Sequence, residues 1–281
     1  MTTISFILDK AYQYYWKVRH DIFAYLIYSI LAKHEFRNRT KYFGKVKVNF
    51  PLSLSPHAVL MYLDIYEYPV RHLLERVLRP SDKFLDIGAN IGYFSAIALN
   101  LVGPKGEVHA FEPDPRYFKY LERLRRSNPK FNLKANQLAA GSRQSSARLM
   151  QTYTLGTSTL VKKLRKSQDV ETSSLAKIVR LDKYLKKSGI DGVKLIKIDV
   201  EGFEFDVLKG LDGFLNTANT KPIIVVEIYP YAMKLQGYSL NELEKWVKKH
   251  KYRVEGNTRL KSLKTSRGDM FNVVFFPSKT T

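Results

Sequence analysis

Acidic residues recur where apolar, β-branched runs of this chain end. Asp86 falls in "KFLDI" at 83–87, and Glu112 follows "EVHAF" at 107–111. Asp199 and Glu201 follow "KLIKI" at 194–198, and Glu227 lies within "PIIVVEIY" at 222–229. Such runs read as buried strands of a parallel sheet. In open parallel sheets ligands sit beyond the carboxyl ends of the strands, near the point where strand order reverses. One acid at a strand end is ordinary. Acids at four strand ends, with a glycine turn after the first, make a candidate site. Carboxylates there can accept hydrogen bonds from hydroxyls, take a proton from a nucleophile, or ligate a hard cation.

The turn after the first strand reads "FLDIGANIGYF" at 84–94, placing Asp86, Gly88, Asn90 and Gly92 at alternate positions. Gly88 and Gly92 allow close backbone approach to a ligand and entry into a helix without a Cβ clash. A dinucleotide fingerprint would read G-x-G-x-x-G and hold a pyrophosphate on the helix N-terminus. The spacing here is D-x-G-x-N-x-G, so a ligand with adenosine and no phosphate at the turn fits better. Glu112, at the end of the second strand, can accept hydrogen bonds from both ribose hydroxyls. Together these residues indicate S-adenosylmethionine.

The elements that must position these groups can be read in order. Residues 45–55, "KVKVNFPLSLS", alternate like an edge strand, and "VRHLLERVL" at 70–78 has helical spacing ended by Pro80. A strand is expected over 83–87, a helix from about 92, a strand over 107–111, and a helix opening at Asp114-Pro115. "FNLKANQLAA" at 131–140 reads as one strand. The run at 194–200 precedes the helical "FEFDVLKGL", and 222–229 is another buried strand. A helix over "SLNELEKWVKKH" and a strand "NVVFFP" follow. The polar, basic residues 156–177 read as a long connection or a hairpin insertion. This alternation predicts an α/β fold, a mostly parallel central sheet with helices on both faces. Residues 1–44 are expected to form an N-terminal helical extension, and residues 45–281 a single domain.

Composition narrows the setting. The 281 residues are 44% hydrophobic, enough for a sizeable core. The absence of cysteine excludes disulfides and thiolate metal sites and favours an intracellular setting. "MTTISFILDK" lacks a basic leader segment, so no signal peptide is expected. The apolar run at 22–32 is shorter than the roughly 20 residues that span a bilayer. It either packs on the domain or lies in the plane of an anionic membrane, flanked by Arg37, Arg39, Lys41, Lys45 and Lys47. The net charge of +21 attracts polyanions or only maintains solubility. The histidines show no metal-ligand spacing. Each acid also has a structural reading: Asp199 and Glu201 as helix caps, Glu227 as the partner of a lysine.

The chain resembles the FkbM-type methyltransferases, S-adenosylmethionine-dependent O-methyltransferases with a class I Rossmann-like fold. The resemblance rests on "FLDIGANIGYFS", "VHAFEPDPRYFKYLERL", "VRLDKYL", "LIKIDVEGFEFDVLKG" and "IIVVEIYP", and it covers roughly residues 45–277. It implies that Asp86, Gly88, Asn90 and Gly92 shape the methionine and ribose side of the cofactor site. It further implies Glu112 on the ribose diol, Pro113 beside the adenine, and the turn Leu138–Gly141, including Ala139, on the adenine's other side. Asp199 would lie near the methionine amino group or the transferred methyl. Glu67, in "IYEYP" at 65–69, resembles the acid of a Tyr-Glu pair in this family.

Methyl transfer to a hydroxyl needs alignment and a proton acceptor within hydrogen-bond reach. Asp199 is the first candidate base, with Glu201 and Glu227 behind it. The same carboxylates could instead hold Mg²⁺. The acceptor class implied by the family is a glycan, lipid or small-molecule hydroxyl, in a cytoplasmic enzyme that is either free or peripheral on a membrane. Two alternatives compete: an RNA or DNA methyltransferase, motivated by charge, and a non-catalytic, membrane-docked binding protein.

Overall fold

The computed structural model describes residue 29 and residues 38–152, 158–164, 170–257, 259–263, 265–266 and 269–278. Most of the expected helical extension, including the apolar run at 22–32 apart from residue 29, lies outside the described residues.

The chain opens with strands β1 (Asn38–Phe43) and β2 (Val46–Pro51), then helices α1 (Pro56–Tyr62) and α2 (Tyr68–Val77). Strand β3 (Lys83–Ile87), helix α3 (Tyr93–Val102), strand β4 (Glu107–Phe111), helix α4 (Pro115–Ser127) and strand β5 (Asn132–Asn136) follow. Strands β6 (Ala139–Gly141), β7 (Ser145–Thr152), β8 (Ser158–Thr159) and β9 (Val170–Arg180) build a separate small sheet. Helix α5 (Leu181–Lys187), strand β10 (Val193–Ile198), helices α6 (Glu204–Gly210) and α7 (Asp212–Thr217) and strand β11 (Ile223–Ile228) return to the main sheet. Helices α8 (Pro230–Leu235) and α9 (Leu240–Lys249) precede strands β12 (Tyr252–Val254) and β13 (Phe271–Pro277).

The main sheet has the order β12-β13-β11-β10-β3-β4-β5. Strands β3, β4, β5, β10 and β11 are parallel, and β13 is antiparallel to both of its neighbours. From β3 the chain builds outward through β4 and β5, then returns to the other side of β3 with β10 and β11. The order therefore reverses between β3 and β10, which opens a crevice at their carboxyl ends. Apolar clusters cover both faces. Phe84, Leu99 and Leu121 belong to one, and Leu85, Ile196 and Leu208 to the other. Double coverage explains why successive residues, Phe84 and Leu85 on β3 and 223–226 on β11, are apolar.

Local chemistry sets the helix starts. The Asp114 side chain accepts from the Arg116 N–H, with Pro115 in the first turn of α4. Ser239 and Glu242 form a reciprocal capping box at α9. Buried Asn128 ends α4 and ties it to β2, accepting from Lys47 N–H at 2.7 Å and donating to Lys47 O at 2.8 Å.

Two expectations need correction. Residues 131–140 do not form one strand: β5 stays in the main sheet, whereas β6 leaves to pair with β9. The break at Gln137–Leu138 comes where the chain passes over the crevice, which Leu138 lines. The boundary at residue 44 falls inside a hairpin, because 38–43 pair antiparallel with 46–51. Val46, Val48 and Phe50 point into the core and draw the preceding polar segment into the domain as a strand. The segment at 156–177 contains the return strand of a hairpin, since β9 pairs antiparallel with β7. Among the described residues no helix is long and apolar enough to cross a membrane.

Candidate active site

The glycine turn is fastened on both sides. Gly88 and Ala89 N–H both donate to Phe111 O on β4 at 2.9 Å, and Asp199 N–H donates to Ile87 O at 2.9 Å. Gly88 has φ +82°, and a Cβ there would lie 1.7 Å from the Asp199 carbonyl oxygen. A Cβ on Gly92, at φ +90°, would lie 2.8 Å from Leu124 Cδ2 of α4. Both glycines thus make room for protein on their Cβ side, and only the Gly88 backbone lines the crevice. Asn90 holds the turn at φ +53°, with its Oδ1 accepting from Ile91 N–H at 2.8 Å. Asn tolerates this left-handed region better than most residues.

The crevice is partly open to solvent and is lined by both apolar and polar side chains. One end is formed by Phe111, Glu112, Pro113, Leu138, Ala139 and Ala140. Glu112 Oε2 accepts from Asn90 N–H and Oε1 from Asp114 N–H, both at 2.8 Å. Each oxygen keeps a lone pair for a further donor. Burial pushes the Glu112 carboxyl up to about 8, against the two backbone donors.

The other end holds Lys197, Asp199, Val200, Glu201 and Tyr66. Lys197 is only 3% exposed, next to the carboxyl end of β10. Its Nζ lies 3.0 Å from Asp199 Oδ2 and 5.0 Å from the Phe94 ring centroid. Burial opposes its charge, yet Asp199, Asp86 and Glu67 together hold the ammonium well above the ordinary lysine range. Asp86, opposite Lys197 in register, is fully buried beneath the crevice. Its Oδ2 accepts from Ser95 Oγ at 2.6 Å, Oδ1 has no partner, and burial raises it.

Further carboxyls gather around this end. Glu67 occupies a left-handed backbone position at φ +41°, and its Oε2 is sealed from solvent without a partner. Burial first, then Asp199, pushes Glu67 to about 7, opposed by Lys197 and a hydrogen bond with Asn272. Asn272 stands opposite Glu227 in the β11–β13 register, which brings Glu67 and Glu227 to one neighbourhood. Glu227 is raised well above the carboxylate range by burial, then Asp199 and Glu67. Glu67, Asp86, Gly92 and Glu227 do not line the crevice, whereas Gly88, Asn90, Glu112, Pro113, Ala139, Asp199 and Glu201 do.

Asp199 and Glu201 do not cap α6: its N-cap position is Phe203, with no side-chain cap hydrogen bond. Glu204 Oε1 instead fastens the loop before the helix, accepting from Gly202 N–H at 2.7 Å and Val200 N–H at 3.3 Å. Burial raises Glu204 to about 7. Among the described residues Glu227 has no lysine ion pair, and no group of acids or histidines is arranged to hold a metal ion. The Mg²⁺ alternative therefore has no ligand set there. Sequence reasoning missed Lys197, Tyr66 and Glu204. The signal for Lys197 was present, a single cation inside the apolar run Leu195–Ile198.

A doubly wound sheet, a crevice at its switch point and a buried acid at the second strand end define a class I methyltransferase domain. Residues 86–254 match the profile of the Methyltransferase FkbM domain, and the chain belongs to that family. It is 28% identical over 160 residues to the hexuronic acid methyltransferase AglP of Haloferax volcanii, covering 57% of this chain and 61% of that protein. It is 33% identical over 176 residues to the 31-O-demethyl-FK506 methyltransferase FkbM of Streptomyces tacrolimicus, covering 51% and 64%. The match to the crystal structure of methyltransferase FkbM from Methylobacillus flagellatus has a TM-score of 0.46 at 17% identity, covering 93% of this chain and 60% of that one. The chain spans less than two thirds of the length of these two curated relatives.

Proposed function

We propose that this chain transfers a methyl group from S-adenosylmethionine to a hydroxyl of a glycan, lipid-linked or small-molecule acceptor. The observation that carries the reading is the buried Glu112 carboxyl, which faces the crevice beside the glycine turn with lone pairs unused. The residues present fit the cofactor. Glu112 would accept from the ribose hydroxyls, with Pro113, Leu138 and Ala139 against the adenine and the Gly88–Asn90 backbone alongside. The bound cofactor supplies an electrophilic methyl group on a sulfonium.

The chain's own work is alignment, exclusion of water and removal of one proton. Apolar walls from Phe94, Leu149 and Leu160 shield the crevice. Asp199 takes the hydroxyl proton as the oxygen attacks, with Glu201 on the same wall and Glu227 behind it. The relatives named for a hexuronic acid and for 31-O-demethyl-FK506 support a carbohydrate or small-molecule acceptor. RNA or DNA is the competing acceptor class, motivated by the net charge of +21. Titration calorimetry with S-adenosylmethionine, followed by a radiolabelled methyl-transfer screen over glycans, lipids and RNA, tests the reading. Absence of cofactor binding would defeat it, and label in RNA alone would move the acceptor class.

A further inference from the structure

Lys197 is a buried cation inside a sheet, and the fold does not need it there. Its neighbours along β10, Leu195, Ile196 and Ile198, are fully buried and apolar. A charge in such a place has a large desolvation penalty unless it is paired and hydrogen-bonded. Lys197 is paired to excess. Asp199 binds it directly, Asp86 faces it across β3, and Glu67 reaches its field from the turn between α1 and α2. Glu227 on β11 and Glu201 and Glu204 beyond β10 are further carboxyls in the electrostatic neighbourhood of Asp199. Tyr66, half-buried on the crevice wall, is pushed up by burial and these carboxyls. Among these groups Lys197 is the single cation.

We infer that Lys197 is a positioning residue for methyl transfer: from within the sheet its ammonium holds Asp199 by Oδ2 and leaves Oδ1 for the acceptor hydroxyl. The Lys197 Nζ–Asp199 Oδ2 separation of 3.0 Å is that of a charge-assisted hydrogen bond. Among the described residues Asp199 Oδ1 makes no protein hydrogen bond, and Asp199 forms part of the crevice wall. The Phe94 ring, its centroid 5.0 Å from Nζ, limits where the ammonium can go. Without Lys197, Asp199 would rotate toward solvent, and Asp86, Glu67 and Glu227 would lose their shared counter-charge. The assignment rests on the reading of Asp199 as proton acceptor, while cofactor binding at Glu112 stands apart from it.

Two measurements test it on the full chain. Nitrogen NMR of the lysine ammonium groups should give one slowly exchanging signal that vanishes in Lys197→Met. That signal should shift in Asp199→Asn and stay in place in Lys194→Met. A Lys197 signal indifferent to Asp199→Asn would overturn the inference, whether or not an acceptor is known. Kinetics with methyl α-glucopyranoside as the probe hydroxyl form the second arm. Lys197→Met should keep S-adenosylmethionine affinity within about threefold while kcat falls at least about a hundredfold, the scale of a lost proton acceptor. The acid limb of the rate profile should move to higher pH, since removing a cation raises neighbouring carboxyls. Lys197→Arg should recover part of the rate. Wild-type kcat and an unmoved limb in Lys197→Met would reduce Lys197 to a space-filling role. If Lys197→Met does not fold, Asp199→Asn/Lys197→Met removes both charges and should be no slower than Asp199→Asn alone. A further tenfold loss would contradict action through Asp199. A wild-type chain that binds no S-adenosylmethionine fails the parent reading instead, and the NMR arm separates the two failures.

Discussion

Gly88 faces the crevice with its backbone and Asp199 with the position where a Cβ would stand. At φ +82° and 1.7 Å from a carbonyl oxygen, any side chain must move the loop after β10. Gly88→Ala should therefore destabilise the fold by about 3 kcal/mol or more, combining left-handed strain with overpacking. Urea unfolding measures this. A variant of normal stability that only loses cofactor binding would show the glycine serving the ligand alone. Glu112 makes the opposite forecast. Glu112→Ala should weaken S-adenosylmethionine at least tenfold, about 1.4 kcal/mol, through lost charge-assisted hydrogen bonds. Unchanged affinity by calorimetry would remove Glu112 from the site. The strand-end acids were legible because apolar runs mark where each strand stops. Lys197 was not. Lys194 and Lys197 are three apart and point to opposite faces of β10, yet one is exposed and the other buried. Period-two alternation cannot tell which lysine meets a cluster of acids from other strands.

Elements with a strong local signal were read correctly. Asp114-Pro115 and Ser239 carry their capping chemistry in sequence, and α4 and α9 begin there. The division of 131–140 was illegible, because β5 and β6 share the same local character and only their partners differ. The β1–β2 hairpin was half visible: the alternation of 45–55 announced β2, whereas the polar β1 takes its place from pairing. That hairpin leans on one buried side chain. Asn128 bonds Lys47 N–H, Lys47 O and Leu124 O, at 2.7, 2.8 and 2.8 Å. Asn128→Ala should cost about 2–3 kcal/mol, three bonds whose backbone partners become only partly resolvated. Hydrogen exchange should quicken at Lys47 far more than at β10. Equal protection of Lys47 in Asn128→Ala and the wild type would mean that the hairpin is held by Val46, Val48 and Phe50 alone.

At the scale of the molecule, charge is distributed unevenly. The chain carries +21, yet in and behind its crevice burial raises three carboxyls: Glu112 to about 8, Glu67 and Glu204 to about 7. An acid raised in the folded state binds more protons there than in the unfolded chain. Its contribution to stability is complete below the ordinary value near 4.5 and disappears as pH rises through the folded value. Each such excess proton lowers stability by about 1.4 kcal/mol per pH unit within that window. Asp212 runs the other way. Despite burial, Trp246, Lys249 and His250 hold it below the usual range, so its contribution is lost only in acid. The free protein should accordingly be most stable near pH 5 and soften steadily toward pH 8. Thermal unfolding across this range tests the expectation, with Glu112→Gln as the diagnostic variant. It removes the most strongly raised of the three groups and should flatten the slope between pH 6 and 8. S-adenosylmethionine carries net positive charge and favours ionised carboxyls, so the stabilisation it gives should be larger at pH 8 than at pH 5.5. A free protein whose melting temperature climbs from pH 5 to pH 8 would mean that these carboxyls ionise in the fold at ordinary values and that the crevice is far wetter than its walls suggest.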